Sequence, residues 1–157
     1  MNEKSISISY EEYDVISQLG EEDRELVAAA KDAMNNAYAP YSHFHVGAAV
    51  RMSGGEIVKG ANQENAAFPS GTCAERTAMF SAAATYPDKD ICSIAIVGGV
   101  HGRMAGEPVT PCGACRQVMA QYQAKSGKPI SILMVGATKI WKFAKVNDIL
   151  PLIFDSI

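Results

Sequence analysis

Cys73-Ala74-Glu75 in one segment and Pro111-Cys112-Gly113-Ala114-Cys115 in another are the residues of this chain whose types and spacing could do chemistry. Three thiolates can hold a zinc ion tetrahedrally and leave its fourth position to water, and zinc eases the deprotonation of that water. Glu75, two positions from the first sulfur, is placed to take such a proton and pass it on. Three thiolates around one ion also weaken its pull on water, so charge must be drawn back out of the sulfurs. Arg76 is the candidate for that work, through charge-assisted hydrogen bonds to thiolate. A sulfur donor set favours zinc over magnesium or calcium.

Three plainer readings compete. Cys112 and Cys115 alone would fit a redox dithiol, which leaves Cys73 and Glu75 without a purpose. A closed structural zinc would need Cys92 as its fourth ligand, but Cys92 sits in an apolar run and reads as a small buried hydrophobe. Glu75 as a capping carboxylate is compatible with the chemistry, not opposed to it.

The elements that must position these residues follow from periodicity. Glu21 to Tyr38 carries Leu26, Ala30, Ala33 and Ala37 on one face and reads as an amphipathic helix ended by Pro40. His45 to Met52 and Glu56 to Ala61 are strand-like and joined by Ser53-Gly54-Gly55, a hairpin signal. A loop from Asn62 to Thr72 leads to a helix over Cys73 to Ala84, with Thr72 and Glu75 in a capping-box arrangement. Ile91 to Val97 is a central strand, Gly98 to Pro111 a polar loop, and Cys112 to Ala124 the next helix. Strands at Ile130 to Val135 and Lys139 to Ala144 and a short helix at Val146 to Leu150 complete the set. All three signature cysteines therefore fall at or near helix starts, where unpaired N–H groups favour thiolate. Strands alternating with helices imply a layered α/β/α domain around a mixed sheet.

Composition narrows the function classes. The chain has 157 residues, 48% apolar and 20% charged, enough for a single core. Its formal charge of −3 and scattered lysines and arginines argue against a polynucleotide partner. No apolar run reaches the length of a membrane span and the start lacks the pattern of a secretory leader, so a cytoplasmic location is expected. Four cysteines in such a setting point to metal or redox use over disulfides. His43 and His45, at i and i+2, could face one side of a strand as a metal pair, but with no third ligand they read as surface histidines, as does His101. Trp141 and Phe143 read as core.

Ala39-Pro40-Tyr41-Ser42-His43-Phe44, Val46-Gly47-Ala48-Ala49, Asn62-Gln63-Glu64-Asn65-Ala66, Cys73-Ala74-Glu75-Arg76-Thr77-Ala78 and Pro111 to Gln117 follow one another in an order that resembles the free-nucleoside cytidine deaminase family, from about Leu26 to Phe154. Cys-x-Glu followed by Pro-Cys-x-x-Cys is the recognised signature of zinc deaminases, and this chain matches it at every position. The resemblance implies the three-layer α/β/α cytidine deaminase-like fold with a mixed, about five-stranded sheet, over residues 21–157, with 1–20 as an N-terminal extension. It implies a homotetramer with one zinc per subunit, acting in pyrimidine salvage on cytidine and deoxycytidine to give uridine, deoxyuridine and ammonia. By position, Cys73, Cys112 and Cys115 are similar to the zinc ligands and Glu75 to the proton shuttle. Phe44 matches the aromatic that packs on the base, Asn62 and Glu64 the pair that binds the ribose 3′-hydroxyl, and Ala74 a further substrate-binding position. Ala66 and Phe154 match groups that reach the pocket from neighbouring subunits. Phe68-Pro69 stands where the family usually has a tyrosine close by, so an interface hydroxyl is lost. The competing functions are deamination of a modified nucleoside or antibiotic, of a base within a polynucleotide, and a zinc-stabilised binding module without catalysis.

Overall fold

The computed structural model of the chain describes residues 1–155. Its helices are α1 (Glu21–Met34), α2 (Ala74–Thr85) and α3 (Gly113–Ser126), and its strands are β1 (Glu11–Tyr13), β2 (Phe44–Met52), β3 (Ile57–Ala61), β4 (Ile91–Val100), β5 (Ser131–Val135) and β6 (Ile140–Phe143). The strands form one sheet in the order β1-β6-β5-β4-β2-β3. Only β4 and β5 are parallel, joined by α3 as their crossover, so the sheet is mixed. Leu26, Val27 and Ala30 of α1 cover one face with Ala49, Ala95 and Leu133, whereas α2 and α3 cover the other with Ala78, Met79 and Met119 against Ile94, Ile96 and Ile132. The three layers are those expected.

Six strands replace the expected five because the polar lead-in contributes β1. Glu11-Glu12-Tyr13 has no alternating apolar face to announce it. It is held by side chains distant in sequence: Trp141 Nε1 donates to Glu12 at 2.9 Å, and the Tyr10 ring packs on Trp141 and Phe143 at 5.6 and 5.1 Å. Helix α1 stops at Met34, not Tyr38, because Asn35 and Asn36 form the exit turn and the Tyr38 N–H turns away to Asn62 O at 2.9 Å. The start of α2 also differs from expectation. Cys73 is the residue preceding the first turn and makes no side-chain cap, so Thr72 and Glu75 form no capping box.

Cys92, expected in the core, is exposed. The pairing of β2 with β4 shifts register here: Arg51 faces Ser93 while Met52 faces Ile91, leaving Cys92 as the extra residue of a bulge. The bulge lets Ile91 and Ile94 both point into the core and turns Cys92 outward.

Two glycines set how closely the helices ride on the sheet. A Cβ at Gly47 would lie 2.1 Å from Ala30 O of α1, and one at Gly60 would lie 2.4 Å from Ala78 N and 2.6 Å from Ala74 O of α2. Gly60 therefore fixes the seat of the helix whose first turn carries Glu75. Gly60→Ala is expected to cost about 1–3 kcal/mol by overpacking. At this size that is about 2–4 °C of melting temperature for each kcal/mol. Thermal unfolding checks it, and an unchanged midpoint would show that α2 can shift freely.

Candidate active site

The N-termini of α2 and α3 converge on one face of the sheet. Cys73 immediately precedes α2, Cys112 immediately precedes α3, and Cys115 lies in the first turn of α3. Their three sulfurs lie within 4.8 Å of one another, and Cys112 Sγ is 3.5 Å from Cys115 Sγ. Two thiolates sharing a tetrahedral zinc at ~2.3 Å would stand ~3.8 Å apart, so the donors fit this ion in type and spacing. Cys92 is not among them, which removes the four-cysteine reading. Joining Cys73 to the pair also removes the case for an isolated dithiol.

The pKa values of Cys73 and Cys115 are shifted in opposite directions. Cys73 is held down at about 5, first by a hydrogen bond from Cys115 and then, against the opposing pull of burial, by Arg76. Arg76 Nη2 stands 3.6 Å from Cys73 Sγ. Cys115, completely buried, is pushed upward by the same pairing and by desolvation. Three thiolates this close repel one another, and a divalent cation among them relieves that repulsion while displacing the protons.

Glu75 is 5% exposed, the one charged side chain in the buried class among the described residues. Burial raises its carboxyl above the ordinary range, and the Cys73 charge adds to the rise. It lines a cavity of about 650 Å³ together with Cys73, Ala74, Arg76, Cys112, Phe44, Asn62 and Glu64. Cys115 lies behind the wall. Ala66 and Phe154 are exposed and lie outside this lining.

Another part of the cavity wall is built from β2 and the loop after β3. The Asn62 carboxamide acts as a partner to β2: its Oδ1 accepts from Val46 N at 2.8 Å and its Nδ2 donates to Phe44 O at 2.9 Å. It thereby extends the sheet pairing to the half-buried Phe44. Glu64 accepts from Tyr41 N at 2.9 Å, from Ser42 N at 3.2 Å and from the Ser42 hydroxyl. Tyr41 and Ser42 belong to the ordered motif, yet sequence reasoning gives them no role; a serine two residues before Phe44 in a turn is the available signal. Two further roles escape it. Arg116 Nε donates to Pro111 O at 2.9 Å and its Nη1 to Ile149 O at 3.0 Å, and Gln117 Nε2 donates to Phe154 O at 2.7 Å. Thus α3 ties the segment ahead of Cys112 to the C-terminal stretch.

The histidines do not form a metal pair. His43 adopts a left-handed backbone, φ 56°, which breaks the i, i+2 alternation with His45, and its ring stacks on exposed His101 at 5.1 Å. Phe143 is core, while Trp141 is half-buried with its indole on Glu12. Phe68 is 77% exposed, with its ring edge-on to Tyr41 at 6.1 Å.

A helix-borne carboxylate beside three thiols, facing an open cavity, defines a zinc-dependent hydrolytic site. Residues 20–128 match the family described as the cytidine and deoxycytidylate deaminase zinc-binding region, and the chain belongs to that family. It is similar to a cytidine deaminase of Halalkalibacterium halodurans, 47% identical over 98 residues that make up 61% of this chain and 68% of that one. It is also similar to a blasticidin-S deaminase of Bacillus cereus, 32% identical over 66% of this chain and 75% of that one. The crystal structure of a cytidine deaminase from Burkholderia pseudomallei superposes with a TM-score of 0.71 at 40% identity, covering 83% of this chain and 97% of that one. The chain is an enzyme of this family with one zinc per subunit.

Proposed function

We propose that this chain hydrolytically deaminates cytidine and deoxycytidine to uridine and deoxyuridine with release of ammonia, a step of pyrimidine salvage, in the cytoplasm. The observation that carries the reading is the single cavity lined by Cys73, Cys112 and Glu75 together with Phe44, Asn62 and Glu64. Its volume suits a ligand of nucleoside size. Residues 21–157 form the catalytic domain in this reading, with 1–20 an extension that lends β1 to the sheet. Ser156 and Ile157 lie outside the described residues.

Zinc on Cys73, Cys112 and Cys115 would supply the Lewis acidity that makes water a nucleophile near neutral pH. Arg76 draws charge from Cys73. The Glu75 carboxylate takes one proton from the attacking water and delivers it to the ring nitrogen, then takes the second from the hydroxyl added to the ring carbon and delivers it to the leaving amine. Its burial suits both halves of that cycle, because a raised pKa brings the carboxyl closer to the working pH. Phe44 offers an aromatic face to the base, and Ala74 is part of the same cavity wall. Asn62 retains one amide hydrogen and one lone pair beyond its two bonds to β2, and with Glu64 it holds the ribose 3′-hydroxyl.

Arg76 is the one basic side chain among the described residues lining the cavity, and it is engaged by Cys73. Free nucleoside is therefore the expected form, ahead of the monophosphate. Blasticidin S is the competing substrate, on the strength of the Bacillus cereus relative at its lower identity. Catalytic efficiencies for cytidine, cytidine monophosphate and blasticidin S decide between them: the reading holds if cytidine leads and fails if either of the others does.

Ala66 and Phe154 support a shared site, since both are exposed and neither lines the cavity of its own chain. In a homotetramer they would complete the pockets of neighbours. Light scattering is expected to give about four times 16.8 kDa. A fully active monomer would contradict both the assembly and the roles of Ala66 and Phe154.

A further inference from the structure

The turn ahead of β2 grips Glu64 at three points. Oε2 accepts the N–H groups of Tyr41 and Ser42, at 2.9 and 3.2 Å, while Oε1 accepts the Ser42 hydroxyl. The same Ser42 oxygen accepts the N–H of Phe44 at 3.0 Å. One hydroxyl thus joins the carboxylate assigned to the sugar to the backbone of the aromatic assigned to the base. Its rotor is fixed, since the hydrogen is committed to Glu64 and a lone pair to Phe44. A carboxylate oxygen has two good acceptor directions. Those of Oε2 are both taken by backbone, so Oε1 is the oxygen with a direction left, and Ser42 holds it in place.

We infer that Ser42 is a positioning residue for sugar recognition: its hydroxyl fixes Glu64 Oε1 in the cavity wall and thereby sets the dependence of the enzyme on the 3′-hydroxyl of its substrate. This rests on the reading of Glu64 given under the proposed function. Both residues line the cavity, and the turn that carries Ser42 is exposed, so its side chain can be shortened without opening the core. The same contacts, the Ser42 hydroxyl first, keep the Glu64 carboxyl below the ordinary carboxylate range, which leaves it a charged acceptor at neutral pH. Removing the hydroxyl would leave Oε2 anchored and Oε1 bonded to water.

The quantity to measure is the ratio of catalytic efficiency on cytidine to that on 3′-deoxycytidine, with zinc-loaded full-length protein. General loosening of the site, including any effect passed through Phe44, lowers both efficiencies and leaves the ratio alone. Ser42→Ala is expected to lower the ratio about tenfold, the smaller end of what a hydrogen bond to a charged group is worth. Ser42→Thr, which keeps a hydroxyl, is expected to preserve it. Glu64→Ala is expected to lower the ratio at least as far, and adding Ser42→Ala to it is expected to change the ratio no further. If the ratio falls in Glu64→Ala but not in Ser42→Ala, or falls equally in Ser42→Thr, the role of the hydroxyl is overturned. If it does not fall in Glu64→Ala, the sugar-binding reading of Glu64 itself is overturned.

Discussion

Glu75→Gln is expected to bind zinc at the stoichiometry of the parent protein and to lose activity by roughly 10²–10⁴-fold. The amide has the shape of the carboxyl and leaves all three sulfurs in place, so nothing that holds the metal changes. What it cannot do is take up and release a proton at the carboxyl oxygen. Because Glu75 is 5% exposed, bulk water has poor access to stand in for it. Metal analysis beside turnover on cytidine checks both halves at once. Full zinc with near-normal turnover would show that the proton passes by another route.

Loss of any one sulfur is expected to be as severe. Cys73→Ala, Cys112→Ala and Cys115→Ala each leave two thiolates where three lay within 4.8 Å, and each should emerge without stoichiometric zinc and without measurable activity. Cys92→Ala supplies the control. Its thiol is exposed at a bulge, outside the cluster, so zinc content and turnover should match the parent. Zinc lost on changing Cys92 and kept on changing Cys112 would overturn the ligand set.

The cluster was legible in the sequence because its geometry is local. Cys73 immediately precedes and Glu75 lies in the first turn of one helix, as Cys112 and Cys115 do for another, so once both helices are placed their starts carry the chemistry with them. The mixed sheet was legible for a similar reason, since β2, β4 and β5 are apolar runs of strand length between clear turn residues. Features created by pairing across long sequence separations were not legible. Cys92 looked buried because its neighbours are apolar, and only the register shift against Arg51 and Met52 turns it outward. β1 is polar and owes its existence to Trp141, Phe143 and Lys139, more than a hundred residues away. The grip of Tyr41 and Ser42 on Glu64 spans over twenty residues and appears only once the loop after β3 folds back over the turn ahead of β2. Asn62 shows the same effect, its carboxamide serving β2 as well as the cavity.

This chain uses its zinc site to remove the amino group of cytidine by water. The most direct test supplies zinc-loaded protein with cytidine and follows ammonia and uridine together. One ammonia for each uridine formed, with the rate collapsing when a chelator strips the zinc and returning when zinc is restored, is the predicted result. A folded protein carrying stoichiometric zinc that releases no ammonia from cytidine would contradict the account.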